Sequence, residues 1–144
     1  MHFICLAKKQ YYPKALIIQS EQFIQFLYTN NLKSAYDLTT KKKEYYDISN
    51  PFLFKKAVER QAKSFLKANI IEVQYRTSFP SQTYGNRLRR WFAGREINTK
   101  QKSVNFFIYI NDKKDINSVV PFEVRWKLQP DQNWKILFFQ SHAI

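Results

Sequence analysis

The stretch Val119-Val120-Pro121-Phe122-Glu123-Val124-Arg125-Trp126-Lys127-Leu128 decides the fold class. Val120, Phe122, Val124, Trp126 and Leu128 fall on every second position, and Glu123, Arg125 and Lys127 stand between them. Successive side chains of a strand point to opposite faces, so this period of two predicts a strand with one buried and one polar face. Comparable runs flank it at 104–110 and 134–140, joined through the polar turns Asn111-Asp112-Lys113 and Gln129-Pro130-Asp131-Gln132-Asn133. Three strands with short turns predict an antiparallel meander. Further upstream Ile71, Val73, Tyr75, Thr77 and Phe79 alternate with Glu72, Gln74, Arg76 and Ser78, which predicts another half-buried strand. Residues 84–95 fit two patterns, because Leu88, Trp91 and Phe92 also suit one amphipathic turn of helix; the segment is read as strand.

Ahead of residue 69 the period is helical. Leu16, Ser20, Phe23, Phe26 and Leu27 recur at three- and four-residue steps behind Pro13, which predicts a helix over 13–29. Asn30 and Asn31 interrupt it and can cap a shorter helix whose face is Leu32, Ala35, Tyr36 and Leu38, ending before Lys41-Lys42-Lys43. Ser49-Asn50-Pro51 starts a third over 50–67, with Phe52, Ala57, Val58, Ala62, Phe65 and Leu66 in register. The expected fold class is α+β: three N-terminal helices packed on a curved antiparallel sheet of four to six strands, in one domain over 1–144 with 1–12 as an extension.

The 144 residues are 44% hydrophobic and 17% aromatic with two glycines, so burial can offset the entropy of ordering and disorder is not expected. A single cysteine, Cys5, forms no internal disulfide, and no Cys/His spacing matches a metal site; neither cofactor nor metal is expected. No apolar run nears 18 residues, so no transmembrane segment is expected. The cytoplasm is the simplest compartment, and the periplasm the alternative if an upstream signal or anchor is missing.

Three helices followed by a long antiparallel sheet closing on Trp134-Lys135-Ile136, together with the stretch Asn31-Leu32-Lys33-Ser34-Ala35-Tyr36-Asp37-Leu38-Thr39, resembles the nuclear transport factor 2-like, cystatin-related superfamily over residues 14–141. The resemblance implies a cone between helices and sheet. In enzymes of the superfamily that cone holds a small organic ligand and an acid–base set, whereas other members are transport adaptors or secretion components. Fold alone does not choose among these.

The chain offers little for catalysis. His2 and His142 lie at its two ends, and no serine, lysine or cysteine sits in a nucleophile motif. Asp37 with Tyr36, or Tyr75 with Glu123, are the conceivable acid–base pairs, and Tyr36, Tyr75 and Trp126 the candidate pocket residues for a ligand-binding, lyase or isomerase cone. Two other features carry more. Phe107, Tyr109, Leu137 and Phe139 alternate with the apolar Phe106, Ile108, Ile136 and Phe138, so two strands are apolar on both faces, and the first set is expected to form a sheet-face interface for a homodimer or protein partner. The net charge is +13, and Arg87, Arg89, Arg90, Arg95, Lys100 and Lys102 form the densest basic run, opposed only by Glu96. That rim can steer the chain toward an acidic protein surface or, with Tyr84 and Trp91 stacking, toward single-stranded nucleic acid. The preferred expectation is a non-catalytic interaction or scaffold module, more an adaptor than an enzyme. Nucleic-acid binding and a small ligand in the cone are the alternatives, and a link to secretion is an analogy from the superfamily.

Overall fold

The computed structural model describes residues 14–76, 100–111 and 117–142. The expected extension 1–12, Thr77 and Phe79, the ambiguous segment 84–95 and the four rim arginines lie outside these residues. The described elements are α1 (Lys14–Tyr28), α2 (Leu32–Asp37), α3 (Pro51–Gln61), α4 (Lys63–Leu66), β1 (Asn69–Arg76), β2 (Gln101–Asn111), β3 (Asn117–Leu128) and β4 (Trp134–Ser141). The fold is α+β, and the four strands form one antiparallel sheet in the order β1-β2-β3-β4.

Local chemistry sets the helix boundaries. In α1 the buried side chains are Leu16, Ser20, Phe23, Ile24 and Leu27, a stripe at helical spacing. The helix stops where the Thr29 hydroxyl donates to the Gln25 carbonyl at 2.8 Å and Asn30 turns left-handed at φ 61°. The Asn50 side chain accepts from the Leu53 amide at 2.9 Å, and Pro51, which has no amide hydrogen to leave unpaired, follows at the first helical position. The helix expected over 50–67 is instead two. At Ala62 the chain leaves the helical path, and the Phe65 amide donates to the Ala62 carbonyl rather than to that of Gln61. The freed Gln61 carbonyl accepts from the Ser141 hydroxyl, so the break joins the helices to the end of β4. Ala62 and Phe65 are both fully buried on either side of it.

Among the described residues, both outer strands carry an irregularity that changes which residues face the core. In β1 the pairing passes from Ile70↔Ile110 to Glu72↔Tyr109, so Ile71 is an extra, bulged residue. Ile70, Val73 and Tyr75 therefore pack on the core, and Ile71, expected inside, is 59% exposed. In β4 the pairs Arg125↔Phe138 and Trp126↔Ile136 leave Leu137 as the extra residue. A one-residue shift moves every later side chain to the other face. Phe139, expected on the outer face, consequently pairs with Val124 in the core at 0% exposure, and Phe138 takes the outer position beside Arg125.

The margin of β4 is closed by the chain between α2 and α3. The Ile136 amide donates to the Leu38 carbonyl at 2.7 Å, and the Ile136 carbonyl accepts from the Thr40 amide at 2.9 Å. The Tyr46 hydroxyl donates to the Phe139 carbonyl at 2.6 Å and accepts from the Phe139 amide at 2.9 Å. One phenol thus replaces both partners that a fifth strand would offer, and burial pushes its pKa up, outweighing the opposing pull of the Phe139 amide that donates to its oxygen.

Candidate functional site

The space between helices and sheet is occupied by side chains. Phe23, Phe65, Phe122, Trp126 and Phe139 are wholly buried there, and Phe54 is 1% exposed. Phe23, Phe54 and Phe139 meet edge to face at centroid distances of 5.1 to 6.4 Å. The indole N–H of Trp126 donates to the Ser20 hydroxyl at 2.7 Å, satisfying the one polar atom of that ring. Tyr36 packs on Phe54 at 5.3 Å and Tyr75 on Phe106 at 6.2 Å. Tyr75 and Trp126 are two strands and four rows apart, roughly 16 Å at ordinary sheet spacings. The three candidate pocket residues thus belong to the packed core and do not converge. Tyr75 and Glu123 lie on opposite faces of the sheet, and Asp37 is an exposed helix-end carboxylate 3.4 Å from Lys41, so neither conceivable acid–base pair is assembled.

The outer face of the sheet centres on Glu123, which is only 4% exposed. Its Oε2 accepts from the Ser103 hydroxyl at 2.6 Å and from Arg125 Nη2 at 2.9 Å. Its Oε1 accepts from Gln140 at 3.1 Å and lies 3.1 Å from His142 Nε2. Burial alone would raise this carboxyl, but the His142 hydrogen bond, the Arg125 charge and the Ser103 and Gln140 bonds together hold it at about 2. A carboxylate so far below neutrality is a poor proton acceptor, so the cluster is an electrostatic clamp joining β2, β3, β4 and the segment after β4. Sequence reading assigned Glu123 to the polar face; its burial follows from side chains on two other strands, which spacing along one strand does not reveal.

Around the clamp the aromatic side chains are largely self-covered. Phe107 is 8% exposed with the Arg76 guanidinium 4.7 Å above its ring, and Leu137 is 2% exposed. Phe138 lies between Arg125 at 4.9 Å and Tyr45 at 4.3 Å, and Tyr109 is half-buried. The four expected interface residues do not form an exposed patch: Phe139 is in the core, and Phe107 and Leu137 are buried.

Large exposed apolar side chains lie elsewhere. Ile18 and Tyr28 on α1 are 55% and 39% exposed, and the bulged Ile71 of β1 is 59% exposed. Ile18, Glu21, Gln25 and Tyr28 recur at three- and four-residue steps on one helical face. The last three of these, with Ile70 and Val73, line a groove of about 280 Å³ between α1 and β1. Those two elements carry Lys14, Arg76, Glu21 and Glu72, a neutral balance in a chain of net charge +13.

The opposite end of the sheet is basic. The Gln129–Asn133 turn separates two hollows, of about 390 and 350 Å³, that share Gln129 and Pro130. The larger is lined by Lys41 and Lys135 but also by Asp37 and Asp131. The smaller is lined by Lys42, Lys100 and Lys127 against Leu128 and Pro130, with no carboxylate among its described lining residues. Lys100 was expected on the rim, while Lys102 lies on β2 opposite Trp126. Lys42 and Lys127 were not foreseen, because they come from segments 25 or more residues away from the basic run.

Among the described residues no group of three or more His, Cys, Asp or Glu gathers to hold a metal, and no helix is long and apolar enough to cross a membrane. No protein-family model matches the chain, and no curated protein or solved structure matches it significantly.

Proposed function

We propose that the chain is a non-catalytic interaction module of the nuclear transport factor 2-like type, which pairs with a second copy of itself through the α1–β1 groove. The observation that carries this reading is the exposure of Ile18 and Ile71 on the two elements that form the groove, with Tyr28 in its wall; Tyr45 and Phe52, the other large exposed apolar side chains among the described residues, lie in the loop after α2 and on α3. Exposed apolar groups on neighbouring elements mark a contact surface, and the described space between helices and sheet is filled by side chains. Electrostatics favours a second copy. Two molecules of charge +13 repel, and the repulsion is least where each presents a neutral surface, as α1 and β1 do. A two-fold arrangement would set the same patch against itself and bury Ile71 twice. The basic remainder of the surface then faces outward and is available to steer the pair toward an acidic partner.

Light scattering over a concentration series tests the reading. The wild type is expected to run as a dimer that resists salt, because the contact is apolar, and Ile18→Glu with Ile71→Lys to run as a folded monomer. A wild type that stays monomeric, or a double variant that dimerises as well as the wild type, would contradict it. A monomer that retains a single-stranded oligonucleotide with steep salt dependence would move nucleic-acid binding into first place.

A further inference from the structure

A two-fold dimer through α1 and β1 has one degree of freedom that α1 itself fixes, the direction in which the two helices run. Resting on that dimer reading, we infer that the two α1 helices pair antiparallel about the level of residue 23, so that Ile18 of each copy fills the α1–β1 groove of the other. Lys14, Ile18, Glu21, Gln25 and Tyr28 are all exposed and follow one another at steps of four, three, four and three. That is the 3.5-residue spacing of a helix–helix seam. At 3.6 residues per turn the five span an arc of about 80°, whose centre stands about 140° from that of the buried stripe. The core uses one side of α1, and this second seam faces away from it.

The seam complements itself when the two helices run in opposite directions. Ile18 and Tyr28 lie five positions either side of residue 23, and Glu21 and Gln25 lie two either side. A two-fold axis at that level sets Ile18 against the partner's Tyr28, apolar on apolar. It also sets Glu21 against the partner's Gln25, whose side-chain amide can donate to the carboxylate. A parallel pair instead sets each residue against its own copy, so that Glu21 meets Glu21 and Lys14 meets Lys14, like charges that oppose association. Moving the axis to a point between residues 19 and 20 keeps the helices antiparallel but presses the Glu21 carboxylate on the partner's Ile18, burying a charge against an aliphatic chain. The level of residue 23 avoids both. Antiparallel helices also oppose their dipoles, and the last turn of α1, which has no basic residue of its own, receives the partner's Lys14 just beyond its end.

The groove suits the side chain that this register delivers. Ile18 is 55% exposed and does not line the groove of its own chain, whereas Tyr28, which it meets across the axis, does. Beside Tyr28 the groove offers an aliphatic floor: Ile24 is buried, and Ile70 and Val73 are half-buried. Its exposed rim carries Glu21 and Gln25, the pair that the same register joins. A volume of about 280 Å³ falls just below the range of about 300–1,000 Å³ typical of small-molecule pockets, a size that suits an inserted side chain better than an independent ligand. Symmetry then repeats the contact, one isoleucine in each of two grooves.

Cross-linking tests the register, in chains that also carry Cys5→Ser to remove the single native cysteine. Ile18→Cys and Tyr28→Cys chains, mixed under a mild oxidant, are expected to give a disulfide-linked dimer, and either chain alone about tenfold less of it. Self-linking of Ile18→Cys as readily as the mixture would show a parallel pair and overturn the inference. Charge provides a second readout that needs no cysteine. Gln25→Glu puts a carboxylate opposite the partner's Glu21 twice per dimer and should weaken association about tenfold in light scattering. Mixing that chain with Glu21→Lys chains should recover it, because the new lysine meets the new carboxylate between copies and not within one. A mixture that associates no better than Gln25→Glu alone would overturn the register. A wild type that dimerises without the Ile18–Tyr28 cross-link and without this rescue would sink the antiparallel register and leave the dimer standing, whereas a wild type that stays monomeric would sink both.

Discussion

The two outer strands of the sheet use the same device to opposite ends. Both β1 and β4 carry one extra residue, and in both the alternation of side chains changes phase at that point. In β4 the extra residue, Leu137, is 2% exposed, and the strand's backbone is tied to Leu38, Thr40, Tyr46 and Gln61. In β1 the extra residue, Ile71, is 59% exposed, and no residue of the strand is buried. A bulge therefore does not by itself create a surface; what packs over it decides. At β4 the loop after α2 supplies the cover. At β1 the described residues leave Ile71 exposed, and the proposed second copy would supply the cover.

The sharpest way to break this comparison is at Phe139. If the β4 bulge turns it into the core as described, Phe139→Ala should cost about 4 kcal/mol in denaturant unfolding, the range for emptying an aromatic site. A loss under roughly 1 kcal/mol would mean that the ring faces outward and the bulge is misplaced. The bulged residues themselves come next. Leu137→Ala should cost about 3 kcal/mol and Ile71→Ala within about 0.5 kcal/mol in the monomer, so near-equal values would erase the distinction between the two strands.

The Glu123 clamp sharpens the comparison through pH. Its carboxyl ionises at about 2 when folded against an ordinary 4.5. A depressed folded value means that the stabilisation is present above about pH 4.5 and is lost as pH falls toward 2, because the unfolded chain takes up the proton first. The amount is on the order of 3 kcal/mol, at 1.36 kcal/mol per unit. Unfolding free energy of the wild type should fall across that window, and Glu123→Gln should flatten the fall. An unchanged slope in the variant would show that the clamp does not hold β4 to its neighbours. A small gain is expected at the turn: Gln132→Gly should stabilise the fold by about 1 kcal/mol by relieving a positive φ.

Most of the secondary structure was legible in the sequence. The period-two run at 119–128, the Asn50-Pro51 start and the stripe in α1 each gave an element whose counterpart the fold contains. What was not legible depended on contacts between distant segments. The break at Ala62 answers to Ser141, 79 positions away, and the two bulges are set by which residues the neighbouring strands offer as partners. Reading an unbroken alternation through β4 placed Phe139 on the wrong face for that reason. The basic hollow was less legible still. Local spacing showed Lys100 but not its companions, because Lys42, Lys100 and Lys127 meet only once the loop after α2 lies beside the β2–β3 end of the sheet.

Amide hydrogen exchange at low and high protein concentration tests the central claim most directly, that β4 is closed and the α1–β1 side is open to a second copy. The account predicts added protection at high concentration in α1 and β1, with β4 strongly protected and unchanged throughout. Protection that rises with concentration in β4, or that does not change in α1 and β1, would contradict it.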